Sequence, residues 1–153
     1  MTIDSVQVKL VHPRATLPKR MSAGSAGYDL YAAEPATVPA ARSTPDGGVE
    51  IGRALVPIGI VLELPDNTVG RIASRSGLST RSNIETGAGW IDSDYRGELF
   101  VELKNLSAQP FLVNPGDRVA QLVILPLAPT TLVLADDLDD TTRGPGGFGS
   151  TGV

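Results

Sequence analysis

Several residue types that often carry enzyme chemistry are scarce or absent in this chain of 153 residues. It has no cysteine, which excludes a disulfide framework and thiolate catalysis. Its single histidine, His12, excludes a metal site built from clustered histidines. The sequence also lacks a secretory signal pattern and an apolar run long enough to span a membrane. We therefore expect a soluble intracellular protein of the cytoplasm, the nucleus or both.

The chain has fewer basic than acidic residues, and its formal net charge at pH 7 is -4. A broad basic surface for polymeric nucleic acid is therefore not expected. The composition is still compatible with binding of a small anionic ligand, if arginines are placed locally and a cation assists in binding it.

Short segments in which apolar and polar residues alternate, or which are apolar throughout, predict an all-β fold. Seventeen glycines and twelve prolines leave little room for helices, and the one predicted helix is short, over Ser76 to Arg81. Many short strands separated by turn signals are typical of a sandwich, jelly roll or barrel. An exposed hairpin loop is expected over Ser43 to Glu50. The predicted strands include Ser5 to Leu10, Gly59 to Leu64, Thr68 to Ala73, Gly97 to Leu103, Arg118 to Leu125 and Thr130 to Ala135.

Two clusters in the first half of the chain combine polar side chains with structural signals. Asp29, between two tyrosines in GSAGYDLYAAE, is either a polar position flanked by packing aromatics or an acid near a bound cation. Arg75, Ser76 and Gly77 open the short helix, where backbone N–H groups and a guanidinium suit a phosphate. Because a Ser-Gly pair is also a common helix cap, both interpretations stay open from spacing alone.

The third cluster, TGAGWIDSDYRGELFVEL, predicts a β-hairpin. Residues 87–89 interrupt a strand, Trp90-Ile91 resumes it, and the chain then turns into the next strand. Asp92 at the mouth of this hairpin can serve as a general base, and Tyr95 can stack on a sugar or a base. The alternative is a turn that contains Asp and Gly because turns need them.

Two further clusters lie towards the C-terminus. In NPGDRVAQLVI, the odd separation of Arg118 and Gln121 predicts side chains on different faces of one strand. The final stretch, RGPGGFGSTGV, follows an acidic run, and its composition alone favours disorder. Phe148 has no core neighbours in sequence, so its partner is a nucleotide ring, another subunit or nothing.

The order of these five clusters resembles the five motifs of trimeric deoxyuridine triphosphatases (dUTPases). AGYDLYA, RSGLS, GAGWIDSDYRGEL, GDRVAQLV and RGPGGFGSTG match them in order, from about Ala26 to Gly152. The resemblance implies a jelly-roll-like subunit in a homotrimer, with a core over 1–135 and an acidic linker and exchanged C-terminal arm over 136–153. It also implies hydrolysis of dUTP at the α-phosphate with Mg²⁺ held mainly by the triphosphate, which supplies dUMP and limits uracil in DNA.

The resemblance implies a role for each matching residue. Asp92 corresponds to the catalytic aspartate that deprotonates the attacking water, and Tyr95 to the tyrosine that packs under the deoxyribose. Asp29 corresponds to the acid that holds waters on Mg²⁺. The other implied substrate-binding residues are Arg75, Ser76, Gly77 and Gln121 at the phosphates, Gly87, Gly89 and Trp90 at the uracil pocket, and Arg143, Gly147, Phe148, Ser150 and Thr151 in the arm.

The sequence departs from the family pattern at three positions. Ser74 stands where the family usually has proline, Ile58 where it often has threonine, and Trp90 where a small aliphatic residue is usual. We expect Asp94 to support Arg75 or the hairpin rather than to take part in the chemistry. A dCTP deaminase of the same fold and a non-catalytic nucleotide-binding or regulatory module are the alternative functions.

Overall fold

The computed structural model of the protein describes residues 5–146. In this part of the chain, thirteen short strands and one helix confirm the all-β prediction. The elements are β1 (Gln7–Leu10), β2 (Tyr28–Tyr31), β3 (Ala36–Val38), β4 (Arg42–Ser43), β5 (Val49–Glu50), β6 (Gly52–Pro57), β7 (Ile60–Glu63), β8 (Thr68–Ala73), α1 (Ser76–Ser82), β9 (Ile84–Thr86), β10 (Trp90–Ile91), β11 (Phe100–Asn105), β12 (Phe111–Val113) and β13 (Arg118–Pro126).

Two larger sheets supply most of the core. One has the strand order β10-β8-β13-β2 and the other β6-β11-β9, and three two-stranded ribbons, β1-β7, β3-β12 and β4-β5, complete the described fold. Ile72 and Leu122 are register partners in the first sheet, and Val56 and Val101 are partners in the second. All four are buried in one hydrophobic cluster. The inward faces of both sheets therefore share a single core.

The strands predicted around β1, β7, β8 and β13 are present, and β4 and β5 form the expected hairpin. The strand predicted over Thr130 to Ala135 is wrong, because this segment has no strand pairing. Its apolar side chains are almost fully exposed, with Leu132 at 100% and Leu134 at 95% of their accessible surface. Alternation alone does not make a strand, because a strand also needs an edge to pair with.

The hairpin predicted from the third cluster is also organised differently. Trp90–Ile91 pairs with β8, whereas β11 pairs with β9 and β6, so β10 and β11 belong to different sheets. The residues between β9 and β11 therefore form a long excursion that crosses from one sheet to the other and back. Its turn residues mark this crossing rather than a simple two-stranded hairpin.

The single helix in the described chain begins and ends close to its predicted bounds, at Ser76 and Ser82. Asn83 caps its C-terminus in the left-handed conformation (φ 53°), where its N–H bonds to a free carbonyl of the last turn. At seven residues, α1 is much too short to cross a bilayer, and residues 5–146 contain no other helix.

Candidate active site

Three charged side chains form what we call the arginine cluster: Asp29 within β2, Arg75 between β8 and α1, and Arg118 at the start of β13. The carboxylate of Asp29 is nearly buried, and its Oδ1 accepts a hydrogen bond from Arg75 Nε at 3.2 Å. Its Oδ2 accepts one from Arg118 Nη1 at 3.1 Å. Arg75 Nη1 also donates to the carbonyl of Arg118 at 3.1 Å. The cluster has a formal charge of +1 and faces an open cleft of about 260 Å³.

A β-bulge brings Arg118 into this cluster. Gln121 lies opposite Asp29 in the pairing of β13 with β2, and Arg118 lies opposite Tyr31 because the register shifts between Arg118 and Ala120. The extra residue turns Arg118 to the same face as Gln121. The prediction that these two side chains lie on different faces is therefore wrong, since it assumed an unbroken strand.

The start of α1 lies directly beside the arginine cluster. Arg75 is the N-cap residue, and its carbonyl accepts hydrogen bonds from the N–H groups of Leu78 and Ser79 at 3.0 Å. Ser76 and Gly77 are exposed at the first turn, where backbone N–H groups have no partner inside a helix. A side chain at Gly77 would meet open space, so nothing in the described chain blocks the approach to this turn.

Ser74 ties the strand end before Arg75 to β9. Its Oγ accepts a hydrogen bond from the N–H of Thr86 at 2.9 Å, and its carbonyl accepts one from Gln121 Nε2 at 3.0 Å. Hydrogen bonding by the hydroxyls of Ser74 and then Ser79 lowers the pKa of Glu85 below its ordinary value. Where a proline would stiffen the turn, this chain uses a serine hydroxyl that joins the end of β8 to β9.

We expect Ser74→Ala to lower the free energy of unfolding by about 1 kcal/mol at neutral pH, because one backbone N–H loses its acceptor. The pKa of Glu85 should rise towards its ordinary value. A lowered carboxyl pKa adds stability above the unfolded-state pKa and loses it as the pH falls through the folded-state pKa. The difference in urea unfolding between Ser74→Ala and wild type should therefore shrink in acid, and an equal difference at every pH would contradict this coupling.

A second cleft, which we call the crossing cleft, lies along the excursion between β9 and β11 and has a volume of about 240 Å³. Asp92 lies at its rim with an exposed side chain, and the Tyr95 N–H bonds to the Asp92 carbonyl at 3.1 Å. The Tyr95 hydroxyl donates to the carbonyl of Glu98 at 3.0 Å. A Cβ on Gly97 would overlap this hydroxyl, so a side chain at this position would displace the Tyr95 ring from where it lies.

The floor of the crossing cleft is an open strand edge. The N–H of Gly87 bonds to the Glu102 carbonyl at 2.9 Å, so the next pair in this ladder would join Gly89 to Phe100. Instead the Gly89 carbonyl accepts from the N–H of Ile72 at 2.7 Å, on the other sheet. The peptide groups of Phe100 therefore face a gap that a planar ring with donors and acceptors can enter.

The two clefts are separate within one chain. The crossing cleft is lined by Ile72 and by residues 88–92, 95 and 98–100, and the cleft at the arginine cluster by Arg75, Leu78, Phe111, Asp117, Arg118 and Val119. They have no lining residue in common. Among residues 5–146, no three acidic or histidine side chains gather closely enough to bind a metal ion directly.

The remaining predicted residues are less clearly placed. Arg143 is exposed, its Nε donates to the carbonyl of Gly146 at 2.9 Å, and it is not among the residues that line either cleft. In the described chain Arg75 pairs with Asp29 rather than with Asp94, which is exposed. Gly147, Phe148, Ser150 and Thr151 lie outside the described residues.

Sequence reasoning missed the contribution of Arg118 to the site. Its signal was the pair Val119-Ala120, two adjacent apolar residues that are both buried and mark the bulge. Trp90 is 65% exposed, and the guanidinium of Arg71 lies over its ring at 5.0 Å. The indole of Trp90 therefore lies outside the core, and Trp90 is one of the residues that line the crossing cleft.

Comparison with known proteins gives concordant matches. The family model described as dUTPase matches residues 13–152. The deoxyuridine 5′-triphosphate nucleotidohydrolase of Debaryomyces hansenii is 47% identical over 151 residues, covering 97% of this chain and 88% of that protein. Its counterpart from Arabidopsis thaliana is 46% identical over 147 residues, covering 96% and 82%. A variant of the Staphylococcus bacteriophage 80alpha dUTPase, solved with dUpNHpp, superposes with a TM-score of 0.86 at 26% identity, covering 98% of this chain and 99% of that one.

Proposed function

Because this chain belongs to the dUTPase family, we propose that it hydrolyses dUTP at the α-phosphate to dUMP and diphosphate. The observation that carries this proposal is the pair of complementary clefts, one with a cationic cluster and one with an open strand edge beside a free carboxylate. The products fit a role in supplying dUMP for thymidylate synthesis and in keeping uracil out of DNA.

The uracil ring enters the gap between Phe100 and Gly89 in this proposal. The peptide groups of Phe100 supply a donor and an acceptor to one edge of the ring, and residues 88–90, which follow Gly87, form the opposite wall. Cytosine presents a donor where uracil presents an acceptor, so it leaves buried polar groups unpaired and is rejected strongly. A narrow gap also leaves no room for the methyl group of thymine.

Tyr95 lies under the deoxyribose. Its ring is held at the cleft by the hydrogen bond from its hydroxyl to Glu98 and by the absence of a side chain at Gly97. A flat ring packed against the 2′ carbon leaves no space for a 2′-hydroxyl, which discriminates against UTP.

The triphosphate binds at the arginine cluster and the first turn of α1. Arg75 and Arg118 supply guanidinium donors, and Ser76 and Gly77 supply backbone N–H groups. Gln121, held by Ser74, lies alongside. These two guanidiniums, together with Mg²⁺ on the triphosphate, offset the charge of the polyanion in a chain whose net charge is -4.

The arginine cluster suits an Mg²⁺ ion that is bound mainly by the triphosphate. The protein would contact this ion only indirectly, through its waters. Two of the lone pairs of Asp29 are used by arginines, which leaves acceptor capacity for waters of a hydrated cation. The neighbouring guanidiniums oppose direct coordination of a second positive charge by the same carboxylate. The chemistry that Mg²⁺ supplies when bound is neutralisation and polarisation of the phosphate oxygens.

Asp92 is the general base. Its exposed carboxylate at the rim of the crossing cleft orients a water and takes its proton as the water attacks the α-phosphorus. The bond between the α-phosphorus and the bridging oxygen then breaks, and diphosphate leaves. Positioning by both clefts supplies most of the rate enhancement.

A homotrimer with shared sites brings the two clefts together. Within one chain the two clefts have no common lining residue, and in the proposed trimer the crossing cleft of one subunit meets the arginine cluster of another at a shared site. The exposed apolar segment Leu132 to Leu134 suits exchange of the arm between subunits. In this arrangement Arg143 and Gly147 contact phosphates, Phe148 covers the uracil, and Ser150 and Thr151 complete the closed site.

A panel of nucleotides tests the activity. We expect release of diphosphate from dUTP in the presence of Mg²⁺, with kcat/KM at least about a hundredfold above the values for dCTP, dTTP and UTP. Release of ammonia from dCTP would instead indicate a deaminase, and nucleotide binding without turnover would indicate a non-catalytic module. Either result contradicts the proposed function.

A further inference from the structure

Glu102 on β11 holds the backbone at the point where the chain leaves the second sheet. Its main-chain carbonyl accepts the N–H of Gly87, and its side-chain Oε2 accepts the N–H of Ala88, both at 2.9 Å. Two successive peptide groups are thus bound by one residue. No role was predicted for Glu102 from the sequence.

The side-chain bond changes the direction of the chain. In a continued antiparallel ladder, Ala88 would pair with Val101 and point its N–H away from β11. The carboxylate instead draws this N–H to itself, and the next carbonyl, that of Gly89, bonds to Ile72 on the other sheet. The carboxylate of Glu102 therefore lies at the point where the ladder opens.

The hydrogen bond from Ala88 to the Glu102 carboxylate is compatible with the glycine at position 87. A Cβ at this position would overlap the Glu102 carboxylate, which lies directly over the glycine. The carboxylate and the missing side chain together fix the path of residues 87–89, which form one wall of the crossing cleft from Ala88 onward. A small displacement here changes the distance between Gly89 and Phe100 directly.

We propose that Glu102 is a positioning and specificity-determining residue that sets the width of the gap in which the pyrimidine binds. The inference rests on the proposed dUTPase function and assigns that function a residue outside the catalytic machinery. Glu102 reaches the nucleotide only through the backbone of residues 87–89. Its effect therefore falls on base binding and base selection, and the step at the phosphorus is affected little.

Glu102→Met tests this inference, because methionine has a similar length and no strong acceptor. We expect KM for dUTP to rise about tenfold with kcat within about twofold of wild type, since the Ala88 N–H loses a charged acceptor. The ratio of kcat/KM for dUTP over dTTP should fall, because a looser gap admits the methyl group. Glu102→Gln keeps an acceptor oxygen and should restore KM and the ratio to near wild-type values.

Lys104→Met is the matched control, since Lys104 lies two residues along the same strand and is not hydrogen-bonded to residues 87–89 in the described chain. It should leave KM and selectivity unchanged, and all variants should melt within a few degrees of wild type. Unchanged KM in Glu102→Met, or a fall in kcat alone, overturns the inference. So does a Glu102→Gln variant as impaired as Glu102→Met. If the wild-type protein does not hydrolyse dUTP, the proposed function fails instead, so the two failures are distinguishable.

Discussion

Asp92→Asn should reduce kcat for dUTP by about a thousandfold, because an amide cannot accept the proton of the attacking water. Its side chain is exposed, so the replacement removes no packing and the fold should be unchanged. Nucleotide affinity should be largely retained, since the uracil and phosphate contacts are made by other groups. Single-turnover kinetics with dUTP measure the chemical step, and titration with a non-hydrolysable analogue measures binding.

Asp66→Asn is the control for this experiment, because Asp66 is an exposed aspartate in the turn before β8 and lies outside both clefts. It should turn over dUTP at the wild-type rate. Retained turnover in Asp92→Asn would remove Asp92 from the role of base. An equal loss of binding and turnover would mean that its charge affects the nucleotide before the reaction begins.

Asp29→Asn should lower kcat/KM for dUTP by about a hundredfold, through the arginines that it holds. Each carboxylate oxygen accepts from a different guanidinium, so the amide leaves the two cations less well ordered and repelling each other. The side chain is only 12% exposed, and we expect the free energy of unfolding to fall by about 2 kcal/mol. The Arg118 side chain is 40% exposed, so solvent screens its interaction with Asp29. The loss of stability should therefore be smaller than for a fully buried ion pair.

A double-mutant cycle with Arg118→Gln separates this role from a general loss of charge. If Asp29 acts by holding Arg118, the effects of the two substitutions on kcat/KM should be clearly less than additive. Fully additive effects would show that Asp29 and Arg118 act independently. The same proteins titrated with Mg²⁺ reveal how much of the Asp29 effect depends on waters of the cation.

Much of the site could be predicted because its backbone elements are local. Thr68 to Ala73 has strand residues followed by Arg-Ser-Gly, and the structure has β8 and then α1 at these positions. Asp29 was expected on a strand and lies on β2. Such features depend on short-range preferences that a single sequence records well.

The features that could not be predicted depend on distant partners. Arg118 joins Asp29 through a bulge whose register is set by β2, some 90 positions earlier in the chain. Trp90-Ile91 was expected to pair with the next strand, but Gly70 and Arg71 on β8 provide its edge instead. Thr130 to Ala135 has a strand pattern and no edge within the described chain. Pairing is a property of two segments, and the pattern of one segment does not identify the other.

Combining two strongly impaired subunits in one trimer tests most directly the claim that each site combines the crossing cleft of one subunit with the arginine cluster of another. Asp29→Asn and Asp92→Asn chains with different tags are co-expressed, and trimers carrying both tags are purified. Each hybrid trimer should then hold one site with both aspartates intact, and dUTP hydrolysis should recover to about one third of the wild-type rate. Hydrolysis that stays at the level of the two parent variants would contradict shared sites.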